Sequence, residues 1–368
     1  MGNTSIAVSV LTGFLGAGKT TLLNGLLRDP ALADTAVIIN EFGEVAIDHL
    51  LVEQASEGII ELSDGCLCCT VRGELVDTLA DLLDRVQAGR TAPLKRIVIE
   101  TTGLADPVPV LQAVTAHPVL AQAFRLDGVI TLVDSLNGEA TLNAHEEAVR
   151  QVAVADRIVV TKADLLYRSE DGAALKARLS ALNPHARILD ARNVRPAELV
   201  ECQPFNPATK GAGAPPWLGD TVGHGHACDH QEEDGHGHGH AHVHDSRIRS
   251  ISLVHDGPLA YSVVANFLDL LRAGEGDKIL RLKGIVELAE DPERPLVIHG
   301  VQKVLHPPVR LARWPEGPRG TRLVLITMDL PEDYVRRLFA AFTNQPGIDQ
   351  PDRAALEDNP LAIGGFRN

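Results

Sequence analysis

Residues 13–20 read Gly13-Phe14-Leu15-Gly16-Ala17-Gly18-Lys19-Thr20. They fit the pattern G-x-x-x-x-G-K-[ST], in which glycines let the backbone curl until its N–H groups point at phosphate oxygens. In that reading Gly13, Gly16, Ala17 and Gly18 form the cradle. Lys19 reaches the β- and γ-phosphates, Thr20 ligates Mg²⁺, and Thr21 lies beside it on the opening turn of a helix. The pattern needs a strand before it and a helix after it. Ile6–Leu11 supplies an apolar run, and Lys19–Arg28 supplies a helical pattern whose positive dipole end faces the loop.

Outward from this loop, short apolar runs alternate with longer amphipathic ones. Strands are expected at Val37–Asn40, Ile59–Leu62, Arg96–Glu100, Gly128–Asp134 and Arg157–Thr161. Helices are expected at Val71–Gln87, Pro107–Thr115, Thr141–Val152 and Gly172–Leu182. Runs such as Arg96-Ile97-Val98-Ile99-Glu100 are continuous rather than alternating, the pattern of strands covered on both faces. Strand and helix in alternation imply an α/β class, with a P-loop NTPase domain built on a mostly parallel sheet over residues 1–192. Around Asn193 the texture changes to a Pro-punctuated linker, 193–246, which contains a Gly- and His-dominated stretch, 223–244. Periodicity resumes in 247–345. Strands are expected from Ile248 and at Ile279–Leu288, Leu296–Val304 and Thr321–Thr327, with helices at Ser262–Arg272 and Glu332–Ala341. This is a smaller α+β C-terminal domain, followed by a loose tail, 346–368.

A phosphate loop calls for a base reader and a metal-side carboxylate. Thr161-Lys162-Ala163-Asp164 closes a strand and resembles the [NT]-K-x-D guanine motif. Asp164 can accept from guanine N1–H and N2–H₂, which adenine cannot match, and the Lys162 stem can lie over the base. Thr161 stands where Asn is commoner. Glu100-Thr101-Thr102-Gly103 closes another strand, where Glu100 can orient Mg²⁺ through water and Gly103 can sense the γ-phosphate through its N–H. Lys19 and Glu100 are thus the candidate catalytic residues.

The chain has five Cys and 15 His in 368 residues. Three of the Cys, Cys66, Cys68 and Cys69, fall within four residues after the Ile59–Leu62 strand, in a polar turn rather than an apolar core. Thiolates select soft or borderline ions such as Zn²⁺, Cu⁺ or Co²⁺, and three are one short of a closed tetrahedral site. The fourth ligand is left open between water, a His and a carboxylate, with Glu41 and Asp48 as candidates. His224, His226, His230, His236, His238, His240, His242 and His244, with Cys228, form a second tier: a flexible chain suited to weak, multi-site metal binding, or else a solvated linker. The remaining His are scattered and read as surface or satisfied core residues.

The motifs taken together resemble the CobW family of P-loop GTPases, which are metallochaperones and metal-trafficking proteins. The resemblance rests on the phosphate loop, Asn40-Glu41-Phe42-Gly43, Cys66-Leu67-Cys68-Cys69, Glu100-Thr101-Thr102-Gly103 and Thr161-Lys162-Ala163-Asp164. It extends through Ala155-Asp156-Arg157, Arg281-Leu282-Lys283-Gly284 and Trp314-Pro315. It implies slow GTP hydrolysis with Mg²⁺ and a transported metal held by the cysteines. Zinc is the first expectation, with cobalt for cobalamin synthesis or metalloenzyme activation as the alternative. It also implies transfer to a client metalloprotein, and a monomer or a nucleotide- or metal-dependent homodimer.

The charge balance excludes other partners. Asp and Glu number 49 against 34 Lys and Arg, a net charge of −15, so nucleic acid and anionic membranes repel the chain on average. No run of about 18 apolar residues is present to span a bilayer. The start has no positive segment ahead of its apolar run, so a cytoplasmic protein with reduced thiols is expected.

Overall fold

The computed structural model describes residues 5–32, 34–39, 59–61, 70–166, 169–200, 247–315 and 317–344. Seven parallel strands form the first sheet: β1 (Ile6–Gly13), β2 (Thr35–Ile39), β3 (Ile59–Glu61), β4 (Arg96–Glu100), β5 (Phe124–Asp134), β6 (Arg157–Thr161) and β7 (Arg187–Asp190). Their order is β3-β2-β4-β1-β5-β6-β7, with the strand that feeds the phosphate loop in the middle. All eight residues of β1 are buried, as expected of a strand covered on both faces.

Helices cover both faces. On one side lie α1 (Lys19–Leu27) and the short α8 (Pro196–Leu199). The other elements are α2 (Thr70–Gln87), α3 (Val108–Ala116), α4 (Leu120–Ala123), α5 (Gly138–Ala144), α6 (Glu146–Ala153) and α7 (Ser169–Leu182). Leu199 and Val200 pack into the same core as Leu23, Leu26 and Leu32, so this unit continues past the expected boundary at 192. The single helix expected over Thr141–Val152 is two. His145 is extended at φ −131°, ψ 115°, and its ring lies 4.4 Å from that of Phe14. Glu146 and Glu147 then open α6 in its first turn, where carboxylates favour the helix dipole. The strand β7 and the helices α4 and α8 lie outside the sequence expectations.

The second sheet is antiparallel: β8 (Ile248–His255), β9 (Ile279–Leu288), β10 (Asp291–Val301), β11 (Val304–Leu305), β12 (Val309–Arg310) and β13 (Thr321–Met328), ordered β11-β10-β9-β13-β8 with β12 on β10. One face packs under α9 (Tyr261–Glu275) and α10 (Glu332–Phe342), where Phe267 and Phe339 meet edge-to-face at 5.2 Å. The opposite face turns to the first unit. Ile248, Leu280, Val301, Ile326 and Met328 join a core that also holds Leu111, Val149, Val152 and Leu179.

Charge is buried at this junction. Asp156, 8% exposed, accepts from Arg281 Nη2 at 3.2 Å, from Lys283 Nζ and from the Val129 N–H. Burial alone would raise the Asp156 carboxyl, but the Arg281 and Lys283 charges outweigh it and hold it down at about 2. Burial pushes His185 and His306 down to about 4 and His299 well below its ordinary value, and the neighbouring cations push the same way. His185 Nε2 lies 3.1 Å from Ser250 Oγ. These His, read from sequence as scattered, gather where the two sheets meet.

Candidate functional site

The chain leaves β1 at Gly13 and re-enters regular structure at Lys19. Between them Gly16 (φ 72°) and Gly18 (φ 93°) take left-handed conformations that residues with a Cβ rarely adopt. Gly13 has a second constraint: a Cβ there would lie 2.6 Å from the Leu132 carbonyl oxygen on β5. The Lys19 ammonium donates to the loop's own carbonyls, Gly13 O at 2.9 Å and Phe14 O at 3.4 Å. Thr20 follows, half-buried, and its hydroxyl donates to Glu100 Oε1 over 3.3 Å. Thr21 is exposed on the same turn.

Glu100 ends β4, in register with Leu11 of β1. Thr101 donates from its N–H to Leu11 O (2.9 Å), and its hydroxyl meets that of Thr12 (2.8 Å), tying the two strand ends together. The next turn lies directly on the phosphate loop. A Cβ at Gly103 would fall 2.6 Å from Leu15 N and 2.8 Å from Leu15 Cα, so only glycine allows this approach.

On the other side of β1, the Thr161 hydroxyl donates to Ala17 O at 2.8 Å, so the guanine-type segment is tied to the phosphate loop through its first residue. Lys162 has φ 57° and donates to Asp134 Oδ2 at 2.7 Å. The carboxylate that ends β5 thus holds the ammonium, the far end of the Lys162 stem. Burial would raise Asp134, but the Lys162 hydrogen bond, with the Leu136 N–H and the Asn137 amide, lowers it. Asp164 is exposed in the turn Ala163–Leu165. The loop after β7 approaches it: Ala191 N–H donates to Val160 O, and Arg192, raised chiefly by its pairing with Asp190, also feels the Asp164 charge. A cavity of about 230 Å³, lined by Phe14, Leu15, Gly16, Asp134, Asn137 and Lys162 among others, opens beside the phosphate loop.

The structure therefore brings together Gly13, Gly16, Ala17, Gly18, Lys19, Thr20, Glu100, Gly103, Thr161 and Lys162 at the C-terminal ends of β1, β4 and β6. Ligands of α/β sheets bind at that edge. Asp134 and Gln151 were missed. Asp134 closes an apolar β-branched run next to β6, a position the same rule could have flagged. Gln151 donates to the carbonyls of Gly103 (3.2 Å) and Ala105 (3.0 Å) from a helix that sequence gives no reason to place there.

Cys66, Cys68, Cys69, Glu41, Asp48 and all the His of 224–244 lie outside the described residues. Among the described residues no three His, Cys, Asp or Glu side chains converge on a metal-sized site. Their flanks are described, however. Glu61 pairs in register with Ile39, and Ile39 with Glu100, so the chain departs toward both the Glu41 and the cysteine segments from the edge that carries Glu100.

Residues 7–190 match the CobW/HypB/UreG nucleotide-binding domain, and residues 248–343 match the cobalamin synthesis protein cobW C-terminal domain. The chain belongs to the CobW family. It is 36% identical to the zinc chaperone YjiA of Escherichia coli K12, over 91% of this chain and 98% of that one. It is 31% identical to the zinc chaperone CobW of a Sinorhizobium species, over 91% and 97%. The crystal structure of the Zn(II)-bound YjiA GTPase from E. coli superposes with a TM-score of 0.65 at 31% identity, over 92% of this chain and 99% of that one. The CobW-family architecture of a parallel sheet with helices on both faces, followed by an antiparallel C-terminal sheet, matches the α/β plus α+β expectation. Among the described residues no helix is long and apolar enough to cross a membrane.

Proposed function

We propose that this chain is a GTP-hydrolysing metallochaperone that binds zinc at Cys66, Cys68 and Cys69 and hands it to a client metalloprotein in a nucleotide-dependent way. One observation carries the reading: the strand ends that flank the cysteine segment and Glu41 belong to the same sheet edge as the Thr20–Glu100 contact and the phosphate loop. A ligand change at one point of that edge is then felt at the other. The names of the relatives support zinc as the cargo.

Guanine is favoured because Asp164 is exposed at the end of β6 and Thr161 anchors that turn to Ala17. Lys19 is held by two carbonyls that a phosphate can replace as its partner at little cost. The Thr20 hydroxyl and the Glu100 carboxylate are both hard oxygen donors, the donor set that suits Mg²⁺. Mg²⁺, when bound, neutralises charge on the β- and γ-phosphate oxygens. Gly103, packed on Leu15, would report through its N–H on what occupies the loop.

The test is a zinc titration against a competing chromophoric chelator with GTP, GDP or no nucleotide, repeated with Co²⁺ and with ATP in place of GTP. The wild type is expected to bind one zinc more tightly with GTP–Mg²⁺ than with GDP. Cys68→Ser should lose the tight site and keep GTP binding. Lys19→Ala should lose turnover by about a hundredfold or more. Equal zinc affinity in all three nucleotide states would refute the coupling, and tighter binding of Co²⁺ than of Zn²⁺ would move the cargo to cobalt.

A further inference from the structure

The loop that follows Glu100 is held from outside as well as by the phosphate loop. Gln151 of α6 is 1% exposed, and its side-chain amide donates to Gly103 O (3.2 Å) and Ala105 O (3.0 Å). The Thr131 hydroxyl donates to Gln151 O (2.7 Å) and fixes that turn of the helix to β5. One residue earlier, Arg150 donates to Asp106 Oδ2 (3.1 Å) and to Glu146 Oε1 (2.7 Å). Asp106 uses its other oxygen to accept the Val108 N–H (2.9 Å), which caps α3. The loop is thus gripped by α6 at three successive points and continues directly into α3.

The same two helices receive the antiparallel sheet. Arg150 Nη2 lies 3.5 Å from the Met328 sulfur at the end of β13. Arg247, just before β8, donates to Glu146 Oε2 (3.2 Å). Gln112 of α3 donates to Gln302 at the β10–β11 turn (2.7 Å), where Gln302 is itself left-handed at φ 51°. Asp156, three residues past α6, takes Arg281 and Lys283 of β9. Packed cores shift between discrete arrangements rather than deforming smoothly. A loop clamped to α6 therefore moves only if the clamp yields or α6 shifts against the sheet that holds it.

We propose that Gln151 and the Asp106–Arg150 pair are positioning residues for the nucleotide-sensing loop Gly103–Asp106, and that the seating of the antiparallel sheet on α3 and α6 sets how readily this loop moves during turnover. This rests on the reading of the phosphate loop as a GTP site.

Asp106→Asn separates the two tasks of that side chain. Asn still caps α3, because its amide oxygen accepts the Val108 N–H, but it carries no charge for Arg150. Gln151→Leu removes both donors at nearly constant volume. The full chain and both variants are compared with GDP–Mg²⁺, with a slowly hydrolysed GTP analogue and Mg²⁺, and without nucleotide. The readouts are nucleotide affinity, the split between kcat and KM, and hydrogen–deuterium exchange in Ile248–His255 and Ile279–Leu288.

In the wild type, exchange in these second-sheet strands is expected to differ between the GDP and analogue states. In Asp106→Asn that difference should vanish. Its kcat should change by about fivefold or more, the scale of an ordinary coupling, with GDP affinity within about twofold of wild type. Should Gln151→Leu fail to fold, Asp106→Asn decides alone. A wild type that hydrolyses GTP with no nucleotide-dependent exchange in β8 and β9 overturns the proposal. So does an Asp106→Asn variant with wild-type kcat and exchange. A wild type that binds neither nucleotide overturns the GTP reading itself, a separately recognisable failure.

Discussion

At the N-terminal ends of β4 and β5, Arg96 and Asp127 close on each other at 2.6 Å, and the Ser9 hydroxyl donates to the same carboxylate oxygen at 3.0 Å. The Asp127 side chain is 1% exposed. Asp156, just before β6, and His185, just before β7, lie at the same end and are sealed under the second sheet. At the C-terminal ends of the same strands the polar groups keep looser company. Lys19 rests on two backbone carbonyls, Thr20 reaches Glu100 over 3.3 Å, and the Lys162 side chain, 36% exposed, holds Asp134. Charged side chains answer one another at the first end, and removing either leaves a buried charge alone. At the second end the one charged pair named, Lys162–Asp134, is open to solvent on its lysine side, and the carbonyls at Lys19 and the hydroxyl at Glu100 are partners that a phosphate or a cation can replace. Charge near a strand end is therefore no mark of a site by itself; what marks one is whether its partners can be exchanged.

The contrast can be broken first at Asp127. Asp127→Ala leaves the Arg96 guanidinium buried without its carboxylate and should cost about 3–5 kcal/mol of folding stability. A urea midpoint measures it, and nucleotide affinity of the folded fraction should stay unchanged. A loss below about 1 kcal/mol would mean that water reaches the pair.

Acidification probes the junction between the two sheets. Burial holds His185 and His306 near 4 and keeps His299 well below its ordinary value, against about 6.5 in the unfolded chain. Between pH 6.5 and 4 the unfolded chain takes up protons that the folded one refuses, so stability falls as pH falls through that window, by up to about 1.4 kcal/mol per pH unit for each group. Asp156 adds its own loss only lower, between 3.8 and about 2, as its depressed carboxyl is protonated. Urea midpoints at pH 7, 6, 5 and 4.5 read the slope, and His185→Gln should flatten it; a flat wild-type profile would show these rings to be solvated.

The smallest effect is expected at the nucleotide edge. Thr161→Val removes the donor to Ala17 and should cost about 1 kcal/mol, seen as roughly fivefold weaker guanine-nucleotide binding. An unchanged affinity would mean that the Thr161 hydroxyl has no part in holding the loop.

Most of the first sheet was legible because its strands are continuous β-branched runs. Arg96–Glu100 and Arg157–Thr161 begin and end where expected, as does Ile279–Leu288 in the second sheet. The strand Arg187–Asp190 was not legible, because charged residues occupy both ends of its four positions. The break at His145 has no Pro or Gly to announce it; its ring meets Phe14, which is far away in the chain. The junction was illegible for the same reason. Asp156 and Arg281 stand 125 residues apart, and no local pattern pairs them. Within the candidate site, motif residues fell together as read, whereas Asp134 and Gln151 matter through contacts across strands and helices that no short motif encodes.

The five side chains that the antiparallel sheet lends to the first core have a consequence for how the molecule comes apart. Neither sheet can unfold without stripping apolar cover from the other, so a single cooperative transition is expected rather than two. A protease cut anywhere in residues 201–246 severs the covalent path between the sheets and none of the contacts described above. The two halves should then elute together from a sizing column and part only when denaturant dissolves the core they share.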